Sequence, residues 1–539
     1  MAESSAKTAA IVEEGTAAHH EHFYDAEHYH TLGHVRLRDA NTNEIILIPS
    51  PSLDPNDPLK WSKWYKISIA VLVAFAMIMC NFMAAGPTVA MLSVAQSFNT
   101  TPARAAFFFN NSALAQGVGN LFWVPVMLKY GRRPVYIASF LIYFFMIIGS
   151  GLSKTYGAEI VTRLFLGFAG GAGECLAPLT ITDIFYLHER GLFMAAYNAA
   201  LSAGVAFGSV ISGLIVINYT WRTIYWVGAA LVGATLLVVI FSFPETAYER
   251  YNNPLVVRPD EAAKTTGGQT EHNEIHMPPI PPKRSYLQDL KPWNGRKYTE
   301  EPLWRMMVRP LGLIILPPVF WATIVMSVTI GFLVAISSNI GSSFNATYGM
   351  EPWQIGLCFI GNLLGCAFGI VLGGPFSDWV ADYFTKRNGG IREPEMRLPA
   401  IVLTIIASPL SLVLYGVGIQ NKLHWIVPTL GLFFNAFAVV QGTNVSFTYC
   451  IDAYRPIAGE VTVTQLAFKS CFGYLLSFYT NVWVERGYAL AYGEMAAISG
   501  GCLLFSIPMY IWGKQMRVAS MKWKVVQFIN WDDDREVGE

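Results

Sequence analysis

The sequence predicts an all-α integral membrane protein with twelve transmembrane helices in two pseudo-symmetric six-helix bundles. Three observations carry that expectation. Hydrophobic residues make up 53% of the 539 and charged residues only 14%, well below the roughly one quarter usual for soluble domains. The apolar residues gather into twelve stretches of a length that spans the hydrocarbon core as a helix, the only single-segment structure that satisfies its own backbone in lipid. A polar segment from about Tyr248 to Arg309 divides them six and six, the layout of a transporter.

In order, the expected spans are Ile67 to Leu92, Ala105 to Leu128, Val135 to Leu152, Ala158 to Ile184, Leu192 to Ile217 and Thr223 to Phe243, then Leu311 to Asn339, Pro352 to Gly374, Leu398 to Val417, Trp425 to Tyr449, Ile457 to Val482 and Glu494 to Trp512. Frequent glycines inside them suit helices that pack closely in lipid. The chain then divides into an N-terminal tail (1–65), a first bundle (66–245), a linker (246–310), a second bundle (311–513) and a C-terminal tail (514–539). The linker, with Pro254, Pro278, Pro279, Pro281 and Pro282 among polar residues, lacks the apolar material for a core. One amphipathic stretch is expected near Tyr286 to Leu290.

Lys and Arg number the same as Asp and Glu, 37 each, and net charge gives no sign of a nucleic-acid partner. Their placement is informative, because cytoplasmic loops are enriched in Lys and Arg. Lys60, Lys63 and Lys66 precede the first span; Lys129, Arg132 and Arg133 follow the second. Lys386, Arg387, Arg392 and Arg397 follow the eighth; Lys514, Arg517, Lys522 and Lys524 follow the last. Both tails and the linker are therefore expected in the cytoplasm of a multi-pass cell-membrane protein. The opposite loops are poor in these residues, and sequons there make Asn99, Asn218 and Asn345 candidate glycosylation sites.

The seven cysteines fall in or beside apolar spans with no paired spacing, so neither a disulfide nor a cysteine metal site is expected. The polar first sixty residues lack the form of a signal peptide, and the first span is expected to act as the signal anchor. His19, His20, His22, His28, His30 and His34 lie in that tail; they read as part of a polar tail in preference to a metal site.

Two charged loops occupy equivalent places in the two halves. After the second span come Lys129, Gly131, Arg132 and Arg133; after the eighth come Gly374 and Asp378, followed by Arg397. Matched loops point to an internal repeat. On these residues the chain resembles the major facilitator superfamily, in its fungal twelve-span drug:proton antiporter branch, over nearly everything from Leu53 to Lys524. Asp54 to Ser62 is similar to the segment that precedes the first span in that branch. Arg163 to Gly167, His188 to Gly191 and Pro244 to Thr246 match further motifs. Leu128 stands where the family's first loop has an acidic residue, and Ser209 replaces the proline that follows the second glycine of the Gly204, Gly208, Gly213 series. The resemblance implies that the loop residues form conformational latches between the bundles, weakened in the first half by the loss at Leu128.

A charge near the bilayer centre costs on the order of 3 kcal/mol or more and persists when paired or used. Arg163, Glu174 and Lys469 lie within spans and are the candidates for proton coupling and for lining a central cavity. Glu174, a carboxylate near mid-span, is the candidate proton carrier; the alternative is a hydrogen bond to a neighbouring helix. Asn81, Asn110, Asn111, Asn198, Asn362, Asn435 and Gln465 are uncharged polar groups in spans that could meet substrate or glue helices. No Gly-x4-Gly-Lys-Ser/Thr segment is present, so no nucleotide cofactor is expected, and no catalytic constellation marks an enzyme.

The sequence thus predicts a monomeric secondary transporter whose partners are a small-molecule substrate, protons and the bilayer, with efflux of a specialised metabolite or xenobiotic favoured. Uptake of an organic cation such as a polyamine is the alternative. A non-transporting nutrient sensor is a further one, which flux measurement separates.

Overall fold

The computed structural model of the chain describes residues 35–36, 47, 49, 51–248, 281–293, 295–521 and 523. The six tail histidines, Lys522, Lys524 and linker residues 249–280 lie outside the described residues.

The first half contributes α1 (Lys63–Ser97), α2 (Pro102–Tyr130), α3 (Arg132–Leu152), α4 (Tyr156–Ile184), α5 (Arg190–Asn218) and α6 (Arg222–Ser242). The second contributes α7 (Pro317–Tyr348), α8 (Pro352–Arg387), α9 (Pro394–Gln420), α10 (Ile426–Ala453), α11 (Ala458–Glu485) and α12 (Tyr488–Ser520). Among the described residues ten of these are long and apolar enough to cross a membrane. The other two, α2 and α11, are as long, at 29 and 28 residues, but carry more polar side chains. Some of those polar side chains, Gln116 and Asn120 on α2 and Lys469 on α11, converge on Glu174 of α4.

Local chemistry sets the helix ends. Ser62, Thr101 and Thr155 cap α1, α2 and α4 through their hydroxyls, the hydroxyl accepting from an otherwise unpaired N–H. Pro87 sits in a tighter helical stretch, Gly86–Ala90, within α1. α8 is interrupted at Phe359 and again at Gly374, just before Pro375. Beyond the helices, Val35–Arg36 pairs antiparallel with Ile391–Arg392, a two-residue exception to the all-α expectation.

The two bundles meet along two seams. In one, α5 runs beside α8. A Cβ on Gly213 would stand 2.9 Å from the carbonyl oxygen of Pro352, and Ser202 donates to Asn362 Oδ1 at 3.2 Å. In the other, α2 runs beside α11: the rings of Phe107 and Phe478 lie 5.3 Å apart, and a Cβ on Gly117 would come within 2.8 Å of Ser470 Cβ. Most buried apolar residues of the first half form one core, which reaches α10 and α11 of the second half through Phe447, Ile451, Val463 and Leu466.

The described part of the linker is more ordered than its prolines suggest. Ser285 and Gln288 form a reciprocal cap on the short helix Tyr286–Asp289, and a second helix, Leu303–Leu313, buries Met306, Arg309, Pro310 and Leu313. It packs on both α2 and α11. The Asp54 to Ser62 motif forms a bracket. Asp57 accepts from the backbone of Ser52 and Leu59 at 2.9 Å each, Tyr248 donates to Asp54 at 3.2 Å, and Asn56 accepts from the backbone of Arg284 at 2.8 Å. Both ends of the undescribed linker segment therefore bond to one turn of chain.

Candidate functional site

Glu174 lies on α4 and Lys469 on α11, 295 residues apart, and their side chains form a buried ion pair that joins the two bundles. Glu174 is fully buried and Lys469 only 6% exposed. The second carboxylate oxygen accepts from Gln116 and Asn120, each at 3.2 Å. These amides are four residues apart on α2 and so share a face. α2 can come this close because α4 presents glycine: a Cβ on Gly171 would stand 2.6 Å from the carbonyl oxygen of Gln116. Tyr197 of α5 donates to the backbone carbonyl of Glu174 at 3.2 Å and its ring faces Phe447 of α10. Gln465, one turn before Lys469, is fully buried on the same helix.

Arg163 is held elsewhere. It bonds Glu159 at 3.3 Å, the carbonyl of Met83 at 2.9 Å and the hydroxyl of Tyr225, with its guanidinium over the rings of Phe109 and Tyr225. All these partners belong to the first bundle, so Arg163 ties α1, α4 and α6 together instead of meeting Glu174. The reason is local: Glu159, one turn earlier, is the nearest carboxylate on its own helix.

At the Lys/Arg-rich end, the first-half loop is built around Gly131, whose φ of +100° suits glycine alone and where a Cβ would strike Glu245. Glu245 accepts the backbone N–H groups of Arg132 and Arg133 at 2.8 and 3.2 Å; burial raises its carboxyl above the ordinary value. Arg132 pairs with Asp183 at the end of α4 at 3.0 Å. Arg133 spreads over carbonyls at the end of α6, among them Ile240 at 2.7 Å and Phe243, oxygens that a helix C-terminus leaves without intrahelical donors. These bonds stay within the first bundle and linker.

The contacts between bundles at this end differ in kind. Asp378 of α8 lies against Gly191 near the start of α5, where a Cβ would collide with its carboxylate, and it pairs with Arg397 at 2.7 Å. A Cβ on Gly374 would stand 3.0 Å from the Cα of Leu192. At the equivalent place in the other seam, Leu128 and Leu179 face Gly459 near the start of α11, at 3.6 Å or more from a Cβ built there. Among the described residues the nearest side chains there are these leucines, where the other seam has the Asp378 carboxylate. Instead the linker spans the gap: Lys129 donates to the carbonyl of Glu301 at 2.8 Å, the Glu301 carboxylate pairs with Arg309 at 2.8 Å, and Arg309 pairs with Glu460 of α11 at 2.9 Å.

Of the sequon asparagines, Asn99 and Asn218 are exposed at the opposite end, and so is Asn345, whose amide donates to Met350 at 3.1 Å. Among the described residues no group of three His, Cys, Asp or Glu side chains could hold a metal. Sequence reasoning missed Gln116, Asn120, Glu159, Glu301, Arg309 and Glu460. The i, i+4 spacing of Gln116 with Asn120 and of Glu159 with Arg163 was available as a signal.

Comparison with known proteins agrees with this architecture. An uncharacterised MFS-type transporter of Schizosaccharomyces pombe is 26% identical, covering 94% of this chain and 92% of its own. Protein HOL1 of Saccharomyces cerevisiae is 24% identical over 91% and 93%, and Efflux pump FUBT of Fusarium oxysporum 25% over 85% and 74%. Among solved structures, the proton:xylose symporter XylE shares the fold with a TM-score of 0.56 at 13% identity, over 84% of this chain and 97% of XylE. The family model for the Major Facilitator Superfamily matches residues 71–477. With two helical bundles, polar groups meeting between them and that match over most of its length, the chain belongs to the major facilitator superfamily of membrane transporters.

Proposed function

We propose that the chain is a proton-coupled secondary transporter that exports a small organic molecule, a specialised metabolite or xenobiotic, across a fungal plasma membrane. The observation that carries the coupling is the Glu174 to Lys469 pair, because it joins the two bodies that must move apart when access alternates. Relatives named as efflux pumps support the direction.

Ionised Glu174 collects three donors: the Lys469 ammonium and the amides of Gln116 and Asn120. Removing one partner from a buried ion pair costs about 3–5 kcal/mol, so the charged pair clasps the bundles at mid-membrane. A proton on Glu174 cancels the attraction, turns one oxygen into a donor and leaves Lys469 and the amides to reorganise around substrate. Arg163 takes no part in the titration, since a guanidinium stays charged; it fixes the position of α4. The loops at Gly374 and Asp378 and at Lys129, Gly131, Arg132 and Arg133 act as latches on the cytoplasmic side, the first-half one working through Glu301 and Arg309.

The test is flux in proteoliposomes with an imposed pH gradient. Glu174→Gln keeps the shape and removes titration, so gradient-driven transport should disappear while folding and gradient-free exchange survive. Gradient-driven flux with unchanged pH dependence in this variant would sink the assignment. Uptake of a polyamine by the wild type with the gradient, in place of export, would overturn the direction alone.

A further inference from the structure

We propose that the linker carries a binding site for the phosphorylated headgroup of an anionic phospholipid. A cleft of about 330 Å³ is lined by Arg284, Gln288, Lys291, Arg296 and Tyr298. That lining combines three cations with an amide and a phenol. Among the described residues no carboxylate lines the cleft; Asp289, whose charge reaches Arg284, lies outside the lining. Gathering cations around one cleft is unfavourable by itself, and an anion that bridges them removes the repulsion. Guanidinium groups match phosphate oxygens with paired N–H donors, and ammonium adds a point charge. Burial, with the charge of nearby Glu245, holds the Tyr298 phenol up at about 12, so it remains a neutral donor at physiological pH.

The height of the cleft argues for a lipid over a soluble phosphate. Its floor is fastened to the transmembrane body, since Arg133 donates to the carbonyls of Leu290 at 2.8 Å and Lys291 at 3.1 Å. The Tyr286 hydroxyl donates to the carbonyl of Phe241, in the last turn of α6. The cleft therefore sits where α6 leaves the bilayer. Tyr286 and Trp293 flank it with exposed rings, and Trp293 stands edge-on to Tyr130 at the end of α2, 6.4 Å between centroids. Aromatic side chains of this kind belong at headgroup level, and basic pockets beside transmembrane helices suit phosphoinositide-type headgroups. A seated headgroup would hold the linker against α2 and α6, next to the loop that carries Arg132 and Arg133.

The experiment uses the full-length chain in nanodiscs of phosphatidylcholine with or without a small fraction of phosphatidylinositol phosphate. After transfer to mild detergent, native mass spectrometry counts the retained lipid. Wild type should retain the phosphoinositide over phosphatidylcholine, and the triple variant Arg284→Gln, Lys291→Gln, Arg296→Gln should lose roughly a hundredfold of that preference, at about one charge's worth per residue. Arg284→Lys with Arg296→Lys should keep much of it, which separates loss of charge from misfolding. Equal retention by wild type and triple variant overturns the proposal. Binding of inositol trisphosphate as tight as that of the lipid would overturn the lipid assignment in favour of a soluble ligand. The outcome is independent of whether Glu174 couples protons.

Discussion

Gly191 and Gly459 are each the second residue of their helix, at matching places in the two halves, yet they meet opposite chemistry. Gly191 receives a carboxylate, Asp378, that itself pairs with Arg397; Gly459 receives the methyl groups of Leu128 and Leu179. A carboxylate at a helix N-terminus gains from the unpaired N–H groups and the dipole there, about 0.3–1 kcal/mol when exposed and more when partly buried. Leucine gains only packing. The first-half seam regains an electrostatic tie by another route, the chain of Lys129, Glu301, Arg309 and Glu460, whose three bonds all involve linker residues. Two seams related by pseudo-symmetry thus hold by different physics: one by a charge built into the membrane domain, the other by a strap lying across it. A bundle interface can lose a charged contact when a neighbouring segment supplies one.

The largest expected effect is at the built-in charge. Asp378→Asn removes the ion pair with Arg397 and leaves that buried guanidinium beside Asp452, 3.8 Å away, as its remaining acidic partner. Transport in vesicles should fall by an order of magnitude or more, on about 2 kcal/mol lost from one conformational state, at near-normal surface level. A rate within twofold of wild type would dissolve the contrast between the seams. Next is the matched pair Gly191→Ala and Gly459→Ala. The first drives a methyl into the Asp378 carboxylate, whereas the second places it at ordinary contact distance. Transport should suffer several-fold in the first alone, and equal loss in both would show that the seams are alike.

Arg309→Gln comes third. It severs the strap by removing the ion pairs of Arg309 with Glu301 and Glu460, so thermal stability in detergent should drop, by up to roughly 3 kcal/mol, and transport should fall less than with Asp378→Asn. If transport falls as far, the strap is a full latch. The smallest effect is expected for Leu128→Asn, which alters a seam that has no ion pair at that position. Vesicle flux should change less than twofold; a change as large as that of Asp378→Asn would mean that Leu128 holds a state of its own.

The spans were legible because length and apolarity alone decide what crosses a bilayer, and even α2 and α11 stood out against their loops. The positions of Glu174 and Lys469 within spans were equally plain. Their union was not, because α4 and α11 are brought together only by packing of whole bundles, and nothing local in either helix specifies the partner. Arg163 misled for the opposite reason. Its partner Glu159 lies four residues away in the same helix, and that local pairing holds it within the first bundle. In the linker, the run of prolines hid the 303, 306, 310, 313 spacing of Leu303, Met306, Pro310 and Leu313, which marks one helical face. The charges on that face, Arg309 above all, gain meaning only from Glu301 and Glu460.

The bracket at Asp54 to Ser62 separates two lengths that would otherwise be linked. Tyr248 and Arg284 bond to the same short turn of chain, so the path between the end of α6 and the helix Tyr286–Asp289 is closed by that turn, whatever number of residues lies between. The interval between Tyr248 and Pro281 is therefore the place in the chain where an insertion, such as a fluorescent protein or a purification tag, leaves the spacing of the bundles unchanged, and where evolution is free to lengthen or shorten the protein without retuning either seam.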